Sequence, residues 1–234
     1  MDLLELGSLQ PTKHWYYESK LRAIQRAISC EHLPDCKLLE VGSGSGFFSH
    51  ALATRFGCKS VIAYDPNYSE AQVGKRDGVI YANQVSQDDI HNADIMLFLD
   101  VLEHVADDIS FLKTFVNQSR PNTLFIFTVP AFMSLWSGHD EYLGHYRRYD
   151  RQGLVRSVES SGLAILSSRY LFVTIFPIAW ITRKLHKRVA SNMRALPTAL
   201  NFVLTHILSL EHWLPINRLP GLTAACVAKK PTES

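Results

Sequence analysis

The sequence lacks several features that would assign a protein to a specialised class. Its four cysteines form neither a C-x-x-C pair nor a zinc-type spacing, so no zinc site is expected from them. The net charge is only +2, which is too small to indicate nucleic acid as a partner. No charge-free apolar run is long enough to span a bilayer. No internal repeat or low-complexity linker is present.

What remains is the composition of an ordinary globular protein. The 234 residues are 47% hydrophobic and 20% charged, which is typical of one large domain with a sizeable core. The first residues do not combine a basic segment with an apolar one, so a signal peptide is not expected. We therefore expect a cytoplasmic protein whose cysteines are free thiols.

Between residues 37 and 172, short apolar segments alternate with amphipathic ones. The strand predictions are 37–41, 60–64, 78–82, 94–99, 123–129 and 164–172, with a last strand at 223–228. The helix predictions in this region are 47–56, 107–119 and 151–161. Strand and helix signals that alternate at this spacing predict an α/β fold with a mainly parallel sheet and helices on both faces.

A glycine loop follows the first predicted strand and opens a helix. It reads Glu40-Val-Gly-Ser-Gly-Ser-Gly46, and Asp65 ends the second strand. Glycines allow a tight turn and close approach of a ligand, and the helix N-terminus offers free N–H groups. A carboxylate at Asp65 can accept both hydroxyls of a ribose. These features favour a nucleoside-containing ligand, which a nicotinamide or an adenosyl cofactor would both provide.

Three motifs together resemble the class I S-adenosylmethionine-dependent methyltransferases. They are LLEVGSGSG, YDPN and ADIMLFLDVLEHVADD, and the run D-V-L-E-H-V is typical of the branch that methylates small molecules. The resemblance covers residues 37–172 and the last strand. It implies a Rossmann-like sheet of seven strands whose last strand is antiparallel, with S-adenosylmethionine as the cofactor.

The resemblance also implies roles for individual residues. The residues expected to bind the cofactor are Glu40, Gly42, Gly44, Gly46, Asp65, Pro66, Ser86, Leu99 and Asp100. The polar residue that reaches the adenine amino group is not assigned uniquely, and the candidates are Asn83, Gln84, Ser86, Asp88 and Asp89. His104 either packs under the site or faces it as a polar group that contacts the substrate.

Residues 129–149 form a loop that is crowded with polar, titratable and aromatic side chains. The pattern W-S-x-H-D-x-x-x-G-H-x-R-R-Y also resembles a subgroup of bacterial methyltransferases, and there the stretch His14–Tyr17 matches an aromatic helix that covers the site. If the acceptor must lose a proton, histidine is the natural base at neutral pH. The expected catalytic residues are His139, His145, Asp140 and Tyr146, with Glu141 as an alternative to Asp140 for orienting the base. The expected substrate-binding residues are Trp15, Tyr16, His104, Tyr142, Arg147 and Arg148.

Two other interpretations of this loop remain open. It can be a structural buttress in which Arg147, Arg148 and Asp150 form a surface ion network. Alternatively, His139, Asp140 and His145 can bind a metal ion, although nothing in the sequence demands one, and we predict no metal.

The domain organisation follows from these segments. One domain is predicted, with an N-terminal cap helix (14–30), a cofactor-binding core (37–172 plus 223–230) and a helical insertion (173–216). The insertion is rich in apolar residues with a basic cluster at 183–188. This composition favours a lid or a homodimer surface over peripheral membrane contact, and it would suit a lipid-like acceptor.

The function expected from the sequence is methyl transfer from S-adenosylmethionine, by direct displacement, to a small-molecule or lipid-like acceptor. Oxygen or nitrogen is favoured over carbon as the atom that receives the methyl group. The alternatives are an NAD(P)-dependent oxidoreductase, against which the position of the third glycine argues, and a non-catalytic binding module. A nucleic-acid substrate is not expected, because no N-P-P-Y-type tetrapeptide follows the fourth strand.

Overall fold

A computed structural model describes residues 14–30, 36–56, 58, 60–185, 197–211 and 219–232. The helices are α1 (Trp15–Cys30), α2 (Phe47–Phe56), α3 (Gln87–Asn92), α4 (Asp108–Gln118), α5 (Gly138–Tyr142), α6 (Arg151–Ser160), α7 (Phe176–Leu185) and α8 (Thr198–Glu211). The strands are β1 (Lys37–Val41), β2 (Ser60–Tyr64), β3 (Gly74–Arg76), β4 (Val79–Ala82), β5 (Ile95–Leu99), β6 (Leu124–Pro130), β7 (Ala164–Leu171) and β8 (Thr223–Lys229). Short 3₁₀ turns cover Leu102–His104 and Met133–Leu135.

All the described strands join one sheet in the order β3-β4-β2-β1-β5-β6-β8-β7. Strands β4, β2, β1, β5 and β6 are parallel, and β8 lies antiparallel between β6 and β7. The predicted α/β class and the antiparallel last strand are therefore confirmed. The crossovers bring the carboxyl ends of β1, β2 and β5 to one edge, where ligands bind in such sheets.

The sheet has eight strands, whereas the resemblance implied seven. The additional strand, β3, pairs antiparallel with β4, and Arg76 lies opposite Val79. The two residues between them, Asp77 and Gly78, both have positive φ, at +49° and +81°. An Asp-Gly pair in this conformation makes the two-residue turn that suits the twist of a hairpin. The dipeptide was a usable signal in the sequence.

The central strand β5 is covered on both faces. Met96 and Phe98 belong to one apolar cluster, which includes side chains of α4 and α6. Leu97 and Leu99 belong to the other, together with side chains of α1 and α2. This arrangement explains why the strand is apolar throughout instead of alternating in polarity.

The part of the insertion that the structure describes packs against the N-terminal helix and the end of β7. Leu208 of α8 is buried with Leu171 and Phe172. The Glu211 carboxylate accepts hydrogen bonds from the backbone N–H groups of Val173 and Thr174, at 3.1 and 2.7 Å. The other side of the insertion exposes apolar side chains, namely Ile178, Ile181, Phe202, Val203, Ile207 and Leu210.

Two stretches of the predicted insertion, 186–196 and 212–218, lie outside the described residues, and so do most of the basic side chains of its cluster. Among the helices that are described, none is both long and apolar enough to cross a membrane.

Cys36, Cys58 and Cys226 are free thiols, as predicted, and the side chain of Cys30 lies outside the described part. The Sγ atoms of Cys36 and Cys58 are 2.9 Å apart. Burial raises the pKa of the Cys226 thiol to about 12.

Candidate functional site

A cleft of about 280 Å³ opens at the carboxyl ends of β1, β2 and β5. The residues that line it are Val41, Gly42, Tyr64, Asp65, Pro66, Asn67, Asp100, Val101, His104, Val105 and Phe111. Residues from three separate parts of the sequence therefore meet there, because parallel strands end at the same edge of the sheet.

The glycine loop leaves β1 in a conformation that glycine favours. Gly42, Gly44 and Gly46 have φ values of +71°, +53° and +71°. A Cβ on Gly42 would lie 2.8 Å from Val101 Cγ2, and a Cβ on Gly46 would lie 2.4 Å from Tyr81 Cε1. Gly42 and Gly46 are thus required both by the backbone conformation and by the packing around it.

Asp65 is the acid that joins this loop to the end of β2. Its Oδ2 accepts a hydrogen bond from the Gly44 N–H at 2.8 Å, and its Oδ1 accepts one from the Asn67 N–H at 3.0 Å. The Asn67 side-chain amide also donates to Oδ1, at 3.2 Å. A carboxylate has about four acceptor positions, so Asp65 keeps about one of them for a further donor such as a ribose hydroxyl. Its place in the wall of the cleft suits the predicted role.

Five residues predicted to bind the cofactor are not among those that line this cleft, namely Glu40, Gly44, Gly46, Ser86 and Leu99. Gly44 and Gly46 belong to the glycine loop beside it, and the other three have structural contacts of their own. Glu40 is buried and accepts hydrogen bonds from the N–H and hydroxyl of Ser49 at the start of α2. Burial raises the pKa of Glu40 to about 7. Ser86 is exposed and caps α3 in a capping box with Asp89, while Leu99 is buried in the core. These positions suit support of the fold better than contact with a ligand.

Asp100 is the polar residue that follows β5, and it has a positive φ of +55°. Its carboxylate forms an ion pair with the buried Lys20 and accepts a hydrogen bond from the Tyr16 hydroxyl at 3.1 Å. Burial alone would raise the pKa of Asp100, but the positive charge of Lys20 outweighs it and lowers that pKa. Asp100 is therefore held as a carboxylate in the wall of the cleft.

Lys20 was not predicted. The sequence did contain a signal that could have identified it: Lys20 lies on the buried face of an amphipathic helix, one turn after Tyr16, and a buried lysine needs a partner. The partner, Asp100, comes from a distant part of the chain, so the sequence did not identify the pair.

Aromatic side chains stand beside this ion pair. The ring of Tyr16 stacks on Phe172 with centroids 5.1 Å apart, and Trp15 meets Phe172 edge-on at 5.9 Å. The backbone N–H of Trp15 donates to Asn201 Oδ1 of α8 at 2.7 Å. The predicted pair Trp15 and Tyr16 thus lies where α1, the end of β7 and the insertion meet.

The loop after β6 holds His145 in place through Asp140. His145 Nδ1 lies 3.0 Å from Asp140 Oδ1, and Arg148 donates to the two oxygens of that carboxylate from Nε at 2.6 Å and Nη2 at 3.0 Å. Burial would raise the pKa of Asp140, but hydrogen bonds from His145 and Arg148 hold it below its usual value. Asp140 is therefore an ionised group that orients His145.

Arg147 and Arg148 were expected to bind substrate, but both are bonded to other groups of the protein. Arg148 is buried, donates to both oxygens of Asp140 and also donates to the Ala131 carbonyl, so its guanidinium is used within the protein. Arg147 pairs with Asp108 and donates to the Ala106 carbonyl. Asp150 caps α6 through the Gly153 N–H, so these three residues do not form the surface ion network that was considered.

Tyr142 was predicted to bind substrate and Tyr146 to take part in catalysis, but both face solvent. The predicted catalytic residue His139 lies away from the cleft wall. Tyr142 is 63% exposed and Tyr146 is 60% exposed. His139 lies in the first turn of α5 and is not among the lining residues. In contrast, His104 lines the cleft and meets His145, with ring centroids 4.5 Å apart at 82°. Neither His139 nor His145 lines the cleft, but His145 packs directly behind His104, which does.

A family model for a methyltransferase domain matches residues 13–168. The chain belongs to this methyltransferase family. The predicted family is confirmed by this match, which supports the predicted enzyme class and S-adenosylmethionine as the cofactor.

The curated relative that the chain matches is the ubiquinone biosynthesis O-methyltransferase of Methylobacterium sp. (strain 4-46). The two are 29% identical over 157 residues, which is 58% of this chain and 62% of the relative. The chain therefore matches less than two thirds of that relative's length.

Solved structures show the same fold at low sequence identity. An S-adenosylmethionine-dependent methyltransferase from Mesorhizobium loti has a TM-score of 0.56 at 16% identity, and the match covers 94% of this chain and 100% of that one. A chain from the complex of the Haloferax volcanii Trm112 methyltransferase activator with a methyltransferase has a TM-score of 0.57 at 14% identity. That match covers 95% of this chain and 92% of the other.

The residues around the cleft fit this cofactor. The close packing at Gly42 leaves room only for backbone, and Asp65 offers a carboxylate to ribose hydroxyls. Pro66 and Asn67 continue the same wall, and Asp100 stands at the end of β5. When bound, the cofactor supplies a methyl group that its sulfonium already activates, so the main task left to the protein is to bind and orient the reactants.

Proposed function

We propose that the chain transfers a methyl group from S-adenosylmethionine to a hydroxyl oxygen of a small-molecule acceptor by direct displacement. The observation that carries the proposal is a pair of histidines: His104 lines the cofactor cleft, and His145 packs against it and is bonded to the ionised Asp140. A hydroxyl acceptor must lose a proton, and a histidine held by a carboxylate can accept it.

The proton acceptor in this proposal is His145 Nε2. With its Nδ1–H donated to Asp140, the neutral ring leaves Nε2 as the basic nitrogen. Arg148 fixes Asp140 in turn, so the ring is oriented before the acceptor arrives. Positioning of this kind is the main contribution a protein can make to a displacement on an already activated carbon.

Oxygen is favoured over nitrogen for two reasons. The curated relative is named as an O-methyltransferase, and the base at the cleft meets the need of a hydroxyl. A protonated amine would in addition need an unpaired carboxylate to stabilise its charge. Asp100 does not offer one, because it is already paired with Lys20.

We further propose that the acceptor has an apolar body. Trp15, Tyr16 and Phe172 form an aromatic surface beside Asp100. The insertion reaches this surface through Asn201 and Leu208, which supports its proposed role as a lid. An apolar lid and an aromatic wall suit a ring or a lipid-like tail.

Binding and turnover together test this proposal. Calorimetry should show that S-adenosylhomocysteine binds and that NAD does not, and a labelled methyl group should pass to phenolic acceptors but not to matched anilines. His145→Ala should abolish most of this turnover, while His91→Ala, at an exposed histidine on α3, should leave it unchanged. Transfer to the anilines alone, or full activity of His145→Ala, would overturn the assignment of oxygen or of the base.

A further inference from the structure

Three potential metal ligands meet at the rim of the cleft. Glu103, His104 and His145 each offer one ligand atom, and these atoms lie within 4.8 Å of one another. Glu103 and His104 come from the turn after β5, and His145 comes from the loop after β6. The Tyr146 N–H donates to the Glu103 carbonyl at 2.7 Å, which ties that loop to the turn. This cluster is not the trio His139, Asp140 and His145 that the sequence suggested.

Glu103 is the residue that indicates a bound cation. It is 1% exposed, and its Oε2 has no hydrogen-bond partner among the described residues. A buried carboxylate oxygen without a partner is costly, and in native structures such groups are paired or bind cations. No lysine or arginine hydrogen bond or ion pair to Glu103 is found in the described part of the chain.

The histidine opposite Glu103 is already arranged as a ligand. His145 Nδ1 is bonded to Asp140, so its Nε2 is the nitrogen that can coordinate. Asp140 is itself fixed by Arg148. Metal-bound histidines commonly donate their other ring N–H to a carboxylate, which orients the ring and raises its basicity.

We propose that Glu103, His104 and His145 bind one divalent transition-metal ion at the rim of the cofactor cleft. Two imidazole nitrogens and one carboxylate suit Zn²⁺ and similar ions better than Mg²⁺, which prefers oxygen ligands. Three protein ligands leave at least one coordination position open, as catalytic sites do. Because His104 lines the cleft, that position is accessible from the side where an acceptor would lie.

This ion deepens the proposed function and, in its chemical role, rests on it. With the ion on Nε2, His145 no longer accepts the proton itself but holds the ion that lowers the pKa of the acceptor hydroxyl. The hydroxyl proton passes to solvent water. The acceptor oxygen then forms a bond to the methyl carbon as the carbon–sulfur bond breaks, and the electron pair of that bond stays on sulfur as a neutral thioether.

Metal binding is measured first, without any activity assay. The full chain is treated with a chelator, and equilibrium dialysis against Zn²⁺ should then show one ion per chain. Addition of Co²⁺ should give the visible absorption of a histidine-ligated site. Glu103→Gln and His145→Ala should each weaken Zn²⁺ binding at least tenfold.

Matched variants keep the result specific. Glu159→Gln and His91→Ala, at exposed positions on α6 and α3, should bind Zn²⁺ as the unchanged chain does. S-adenosylhomocysteine affinity and thermal unfolding report whether each variant is folded, and His145→Asn replaces any variant that is not. The proposal is overturned if no Zn²⁺ or Co²⁺ is retained, or if the cluster variants retain it as well as the controls do.

Turnover separates this proposal from the proposed function. Activity that the chelator abolishes and Zn²⁺ restores would support a role for the ion. Full activity after dialysis has shown that the ion is removed would overturn the ion's role in turnover and leave His145 as the base. A chain that binds Zn²⁺ but methylates no hydroxyl would retain the metal site and overturn the proposed function alone.

Discussion

The two sides of the cleft are built differently. On the cofactor side, the glycine loop and Asp65 lie at the ends of adjacent strands, and the backbone N–H of Gly44 donates to Asp65. On the side where we propose that the acceptor binds, the side chains come from α1, the turn after β5 and the loop after β6. The first side depends on glycines at close spacing, whereas the second depends on pairs of side chains that only the fold brings together.

Removal of the histidine tests how independent the two sides are, and we expect it to have the largest effect. His145→Ala should lower kcat about 100-fold or more, because general-base help contributes factors of about 10² to 10⁴. The Kd for S-adenosylhomocysteine should stay within about twofold, measured by calorimetry. An equal loss of cofactor affinity would show that the two sides do not act separately.

Lys20 is buried in an ion pair with Asp100, between the two sides of the cleft. Its removal should therefore lower the stability of the whole fold. Lys20→Met leaves Asp100 without its charge partner, and loss of one member of a buried pair costs about 3–5 kcal/mol. Urea unfolding measures this cost. The double variant with Asp100→Asn should recover part of it, and Lys113→Met, at an exposed lysine, should change little. A free energy of unfolding unchanged by Lys20→Met would show that the pair is not needed.

Asp65 tests the cofactor side alone. Asp65→Ala should weaken S-adenosylhomocysteine about 10- to 100-fold, since about 1–3 kcal/mol of charge-assisted hydrogen bonding is lost. The value of kcat at saturating cofactor should change far less, in contrast to His145→Ala. Glu159→Ala, at an exposed acid on α6, serves as the control. Affinity that is equal in the two variants would remove Asp65 from the cofactor site.

Glu40 should show the smallest effect, as a dependence of stability on pH. Its pKa is raised from 4.5 to about 7, so the stability linked to its protonated form is present below pH 4.5 and lost as pH rises through 7. Glu40→Gln does not titrate there. Between pH 6 and 8 the unfolding free energy of Glu40→Gln should therefore rise relative to that of the unchanged chain by roughly 1–2 kcal/mol. Parallel curves would show that Glu40 titrates normally.

The two sides also differ in how well the sequence predicted them. Gly42, Asp65 and Pro66 were assigned from a short motif that follows a strand, and the structure places them in the cleft wall. Arg148 was expected to bind substrate but is bonded to Asp140, and Glu103 was not assigned any role. A local motif is preserved in the fold because neighbours in sequence stay neighbours, whereas the partner of a charged side chain in a loop is open until the loop is placed.

The amino-acid sequence alone was enough to predict the alternation of strands and helices, the glycine loop and the family. Hydrophobic periodicity and glycine positions are local features, and they fix the local backbone whatever the distant chain does. The folded arrangement was needed to show that Lys20 pairs with Asp100, that Asp140 orients His145, and that Glu103 lies beside the two histidines. These pairs bridge elements that are far apart in sequence, and burial away from water determines which polar groups must meet.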